Sequence, residues 1–279
     1  MSNGENSRPD PTIEHLQTPE ELKRKHLEQQ WEQSENSLGM VDILRVNSNL
    51  GSERKLRLFS IACCREIGYL IKHPDSQKAL EMIEQYVDDK DSKKLQQASV
   101  IAERVARESE NERRRNDQAN VIDFGALCVA NAAMASAESE HNNNPTQLYL
   151  EFSNSVIYSS SSAYSEANDQ PVNNWLNPPE RAKEQLKVQS SLLHEIFHNP
   201  FINPEKKPKI ESEWLAWNDG GISKLAQAIY DAKRFDELPI LADALEDAGC
   251  TNEDILNHCR GAGPHVRGCW VLDLLLEKS

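Results

Sequence analysis

The chain has 279 residues, enough for one large domain or two smaller ones, and a 38% hydrophobic content that suffices for a buried core. Its 45 acidic and 31 basic side chains give a formal charge of −14, which disfavours nucleic acid and anionic lipid as partners and suits a basic protein surface. No apolar run reaches membrane-spanning length, the nearest being 269–276 with Asp273 inside it, so a membrane is not expected as a partner.

Residues 1–17 are polar, carry Pro9 and Pro11, lack an apolar signal core and read as a disordered tail. Without a secretion signal, Cys63, Cys64, Cys128, Cys250, Cys259 and Cys269 make no disulfide framework, and a cytoplasmic chain with reduced thiols is expected. Thr18-Pro19-Glu20-Glu21 places a cap residue, a first-turn proline and an acid three positions on, so a helix starts there. A short helix is predicted at 38–46. From Ser52 the stripe Leu56, Phe59, Cys63, Ile67, Leu70 recurs every three or four residues, one buried face of a helix reaching about 73. Asp75 is expected to cap the next helix, through Tyr86.

Residues 92–139 have long helical periodicity with an alanine-rich end at 126–137, and Arg113, Arg114 and Arg115 lie among acids as a solvated face. Residues 149–166 read as helix despite the weak helix formers Ser159 to Ser162. The stretch 169–179, rich in proline and asparagine, is the best internal boundary and divides a region 18–168 from a region 180–279. Helices follow at 180–198, 221–233, 236–248, 251–260 and 266–277, the last apolar on most sides. With no alternating strand pattern and no fixed-period repeat, the expected fold is all-α: an irregular multi-helix bundle, open to division into two helical subdomains.

Two constellations carry candidate chemistry. His194-Glu195-Ile196-Phe197-His198 spells HExxH, in which histidines at i and i+4 share a zinc ion and the glutamate acts on a bound water. On its helix, Leu186, Gln189, Leu193, Ile196 and Phe197 share one side, and His194 and His198 fall on another with Lys187, a face expected to be solvated. A third ligand is required, and Glu205, Glu211 and Glu213 are the nearby downstream acids, with no recognised offset. The plain alternative is a histidine at a helix C-terminus beside the last carbonyls.

The second set is Cys250, His258, Cys259, His265 and Cys269, donors that zinc favours, without the paired CxxC of a zinc knuckle. Cys259 is in phase with Ile255 and Leu256, as a small core residue would be, and a nucleophilic cysteine with His258 or His265 as base is the remaining option. In the glycine-rich turn 261–268, Arg260, His265 and Arg267 are placed for a polar lock between helices or for contact with an anion or a partner.

The blocks SERKLRLF at 52–59 with ACCR at 62–65, IF at 196–197 with NPF at 199–201, LAQAIY at 225–230, LPILADAL at 238–245 and GPHVRGCW at 263–270 resemble a family of uncharacterised planctomycete proteins. The likeness spans most of the chain from about residue 38, and the family brings no established activity. Members of that family tend to carry arginine and glycine where this chain has His194 and His198, which implies local variation at a helix end; their occurrence in some genomes as many paralogues suits interaction, regulatory or immunity roles. The leading expectation is therefore a non-catalytic helical protein that binds another protein and needs no cofactor. The alternatives are a zinc-dependent hydrolase built on residues 194–198 and a structural-zinc module built on the C-terminal thiols and imidazoles.

Overall fold

The computed structural model describes residues 18–47, 52–115 and 145–278. The expected tail at 1–17, the alanine-rich stretch 126–137 and Cys128 lie outside them. The described residues form eleven α-helices and no strands, an all-α fold as expected: α1 (Pro19–Glu32), α2 (Ser37–Val46), α3 (Glu53–Glu66), α4 (Pro74–Asp89), α5 (Ser92–Arg115), α6 (Pro145–Glu166), α7 (Glu180–Phe197), α8 (Ser212–Ala232), α9 (Leu238–Asp247), α10 (Glu253–Arg260) and α11 (Trp270–Leu275). Among them, no helix is long and apolar enough to cross a membrane.

Local chemistry sets most of the boundaries. Thr18 and Glu21 form the reciprocal capping box at α1, with Pro19 in the first turn. Ser52 caps α3 through the Lys55 N–H, and Asn252 caps α10 through the Ile255 N–H. At α4 the cap is the His73 ring, which accepts from the Asp75 N–H, rather than Asp75 itself. α3 stops at Glu66, short of 73, in a 3₁₀ turn Gly68–Leu70. α8 is broken at Trp217 to Gly220, where three successive residues have positive φ, and its long arm begins at Gly221 as the sequence suggests.

Apolar packing gathers into two clusters. The first combines Trp31, Leu44, Leu56, Phe59, Ile83, Ile157 and their neighbours with Leu186, Leu193, Ile196 and Phe197 of α7. The second begins at Trp214 and runs through Ile222, Ile229, Leu241, Leu245, Ile255, Cys259 and Leu272. So α7, which follows the 169–179 stretch, packs its leucine stripe against α2, α3 and α6, and the C-terminal cluster is made by α8 to α11. From Leu56 to Cys64 α3 is buried on all sides, with Arg57, Leu58, Ile61 and Cys64 enclosed besides its expected stripe, and Arg54 is enclosed as well.

A serine-lined seam lets α6 approach its neighbours closely. Ser160 donates back to the Val156 carbonyl, and Gln189 of α7 donates to Ser160 and Ser161 while accepting from Ser37 of α2. Buried amide and hydroxyl groups thus satisfy one another, which holds a helix of poor intrinsic propensity in place.

A buried ion pair joins the two clusters. Arg54 of α3 meets Asp273 of α11 through two hydrogen bonds, 2.5 and 3.0 Å, and donates to the Tyr230 hydroxyl at 3.0 Å. Tyr230 in turn donates to Asp88 of α4 at 2.7 Å, and Arg267 pairs with Asp88 at 2.9 Å while lying over the Tyr230 ring. Each fixed charge here has a partner of opposite sign, the arrangement a buried bidentate guanidinium needs.

Candidate functional site

The end of α7 is a second place where the two clusters meet. His198 takes φ +53° and ends the helix, its N–H bonding the His194 carbonyl at 3.0 Å. Trp31 of α1 crosses this end and donates from Nε1 to the His198 carbonyl at 2.7 Å. Asn199 ties the same corner to α1 by donating to the Glu28 carbonyl and to Glu32.

The two histidines of the HExxH run do not face solvent as a solvated stripe. The His194 ring stands edge-on to Trp31 at 5.8 Å, and the His198 ring stacks on Trp270 at 4.2 Å, inclined by 16°. Burial lowers the basicity of both. Lys187, two turns earlier on that face, is exposed and pairs with Glu35, while Trp31 of α1 and Trp270 of α11 cover the far end. Glu205, Glu211 and Glu213 are exposed. The pattern therefore places no pair of imidazoles around a common ligand, and Glu195 turns to a different set.

Glu195 is 4% exposed and is surrounded by residues from the C-terminal helices. His258 comes from α10, His265 from the loop between α10 and α11, and Cys269 is the residue that opens α11. Two glycines make that loop possible. Gly263 has φ +88°, and a Cβ there would meet the His265 backbone nitrogen at 2.6 Å; Gly268 has φ +99°, and a Cβ would press on Leu58 at 3.0 Å and Ile196 at 3.4 Å. The loop can thus lie directly on α3 and α7 and return His265 to Glu195.

Around the carboxylate the distances are short. His265 Nδ1 lies 3.2 Å from both Glu195 oxygens, His258 Nε2 3.3 Å from Oε2, and the Val266 N–H donates to Oε1 at 3.4 Å. His258 Nε2 is also 3.2 Å from Cys269 Sγ. One ligand atom from each of Glu195, His258, His265 and Cys269 fits within 4.8 Å of the other three, a group able to hold a metal ion.

Hydrogen-bond direction fixes most of the protons. Trp270 Nε1–H can only donate, and it points at His258 Nδ1 at 2.9 Å. His258 therefore accepts there and carries its proton on Nε2, toward Glu195 and Cys269. Burial, reinforced by His265 and His198, lowers its basicity to about 3, so the approach to Glu195 is a hydrogen bond from a neutral ring. His265 Nε2 lies 3.1 Å from the Gly261 carbonyl and donates to it, which turns Nδ1 toward Glu195. Burial works against a charged His265 ring, but the hydrogen bond and charge of Glu195 outweigh it and raise its basicity; burial raises the Glu195 carboxyl against the pull of His265, Cys269 and the Val266 N–H. Carboxyl and imidazole thus hold one proton between them. Cys269 is fully enclosed, and burial followed by the Glu195 charge pushes its thiol well up, so it remains protonated.

The same four side chains suit a metal. In a tetrahedral zinc site, bonds of about 2.0–2.3 Å place neighbouring N, O and S donors roughly 3.3–3.6 Å apart; the His265–Glu195, His258–Glu195 and His258–Cys269 pairs stand at 3.2–3.3 Å, and all four ligand atoms lie within 4.8 Å of one another. His265 offers Nδ1 while its other nitrogen donates to a carbonyl, the outer support that metal-bound imidazoles need. His258 fits by position, with its proton on the inward nitrogen.

Cys250 and Cys259, grouped with these residues by sequence, stand outside the set. Both are enclosed in the second apolar cluster, and burial pushes the Cys259 thiol up to about 12, so it packs as a small core residue and has no thiolate for nucleophilic attack. Arg260 pairs with Asp243 and Glu246, and with Arg267 on Asp88 the turn acts as a polar lock between helices. Comparison with protein-family models, with curated proteins and with solved structures finds no match.

Sequence reasoning found all four residues in two separate groups and missed that they form one. Helical phase relates residues within a helix, and the distance from Glu195 to His265 along the chain is bridged only by folding. The one sequence trace is the glycine pair flanking Pro264-His265-Val266-Arg267, which marks a loop pressed against a backbone.

Proposed function

We propose that this is a non-catalytic helical protein that acts by binding another protein, and that a zinc ion held by Glu195, His258, His265 and Cys269 braces its C-terminal helices against α7. The observation that supports this reading is the closeness of the cluster: four donors from α7, α10, the following loop and the residue opening α11 lie within 4.8 Å of one another. Four protein ligands leave no open position for substrate or water, as in structural zinc sites; a catalytic site keeps one free. Glu195, the residue that would act on water in an HExxH hydrolase, is here one of the donors. The acidic balance, −14 overall, favours a basic protein surface as the partner, through steering and complementarity.

Zinc taken up by the folded chain alone stabilises it by mass action, about 2.7 kcal/mol at a free concentration of 100 Kd. Thermal melts of the full chain with zinc and with a chelator test this. A higher midpoint with zinc is expected in the wild type and not in Glu195→Gln or Cys269→Ala; the same midpoint in wild type under both conditions would contradict the reading.

A further inference from the structure

We infer that Trp270 controls metal uptake at this cluster, so that the site alternates between a hydrogen-bonded state and a metal-bound state; this rests on the zinc reading above. The inference comes from one conflict of donors. His258 can ligate a metal through Nε2 only if that nitrogen presents its lone pair, which in a neutral ring moves the proton to Nδ1. Nδ1–H would then face the Trp270 Nε1–H across the 2.9 Å that now separates an acceptor from its donor. Neither group can accept. Metal binding therefore breaks the Trp270–His258 hydrogen bond and turns one ring away from the other.

The proton balance is complete without a further reactant. On metal entry the Cys269 thiol proton and the proton shared by Glu195 and His265 pass to solvent, and the His258 proton transfers from Nε2 to Nδ1. In the metal-free state the same protons serve Glu195, which accepts from His265, His258, Cys269 and the Val266 N–H. The four ligand groups thus have partners in both states, whereas the Trp270 and His258 N–H groups have one only in the metal-free state, which the indole N–H therefore favours.

Trp270 is also placed to transmit the change. Its indole lies between His258, at 5.0 Å between ring centres, and His198, at 4.2 Å. The His198 carbonyl in turn holds Trp31 of α1. Metal occupancy in the C-terminal unit is thereby tied to the corner where α1 meets α7. This gives the outer support of His258 the opposite sense to that of His265: a carbonyl stabilises a ligating imidazole, and an indole N–H opposes one.

The test is a zinc titration of the full-length protein and of Trp270→Phe against a chromophoric chelator. Trp270→Phe removes the N–H and keeps an aromatic ring over His198, and it is expected to bind zinc about tenfold more tightly than wild type. In wild type, zinc should also shift the indole N–H resonance that is missing from the Trp270→Phe spectrum. Equal or weaker zinc binding by a folded Trp270→Phe, or an unmoved Trp270 resonance in zinc-loaded wild type, would overturn control by Trp270 and leave the zinc site standing. If neither protein takes up zinc, the site itself is lost and the control with it. Should phenylalanine fail to fill the space, benzothienylalanine at position 270 keeps the indole shape without the N–H, and the same comparison decides.

Discussion

Two of the polar junctions that join the C-terminal helices to the rest of the fold are built from opposite chemistry. The Arg54–Asp273 junction uses a guanidinium that keeps its proton and a carboxylate matched to it bidentately, with Tyr230, Asp88 and Arg267 around them. The Glu195 junction uses two imidazoles, a thiol and a carboxyl, all groups whose protons can move or be replaced by a metal. The first is a brace of fixed charge. The second offers groups that could exchange protons for a metal, and the two sit at separate points of the same seam.

Breaking the fixed brace should have the largest effect. Asp273→Ala leaves Arg54 buried without its carboxylate, and a loss of about 3–5 kcal/mol in urea unfolding is expected. Replacing both partners with apolar residues, Arg54→Met with Asp273→Leu, should recover much of that loss, because no charge remains buried alone. Equal losses in the single and double variants would show that the pair itself, rather than its separation, stabilises the seam.

Changing the adjustable junction should cost less stability and more function. Glu195→Gln keeps the shape but misplaces donors around a buried amide, for an expected loss of about 1–3 kcal/mol, and it removes zinc uptake. Asp273→Ala, measured where it remains folded, should retain zinc uptake. That contrast separates the two junctions directly.

Smaller effects sharpen the comparison at its edges. Burial alone would raise the Glu84 carboxyl, but hydrogen bonds from Lys233 and Arg65 outweigh it and hold it below the ordinary carboxylate value of 4.5. A depressed folded value means stability that is present above the ordinary carboxylate range and is lost as pH falls through the folded one. Because Arg65 and Lys233 are partly exposed, about 1 kcal/mol or less is expected, seen as a steeper loss of stability below about pH 5 in wild type than in Glu84→Gln. Thr18→Ala should cost roughly 0.5–1 kcal/mol through the lost α1 cap, read by thermal melting, without altering zinc uptake.

How much was legible in the sequence follows from the range of each interaction. Thr18-Pro19, Ser52, Asn252 and Asn199-Pro200 act within a turn, and each marks a helix end where the sequence places it. The stripe Leu238, Leu241, Ala242, Leu245 is buried as its spacing implies, and of Ile222, Leu225, Ala226 and Ile229 all but the half-buried Leu225 are enclosed. What failed was long-range. Arg54 and Arg57 resemble a solvent face on α3 until Asp273 and the Tyr86 ring come to meet them. His194 and His198 resemble a solvated stripe until Trp31 and Trp270 cover it. Glu195 and the C-terminal donors have no local reason to be read together.

Metal analysis of the full chain, after equilibration with zinc and removal of the excess, decides whether Glu195, His258, His265 and Cys269 hold a metal. About one zinc per chain is expected, reduced to background by Glu195→Gln and by Cys269→Ala. Wild type at background, or variants that retain the full complement, would contradict the account.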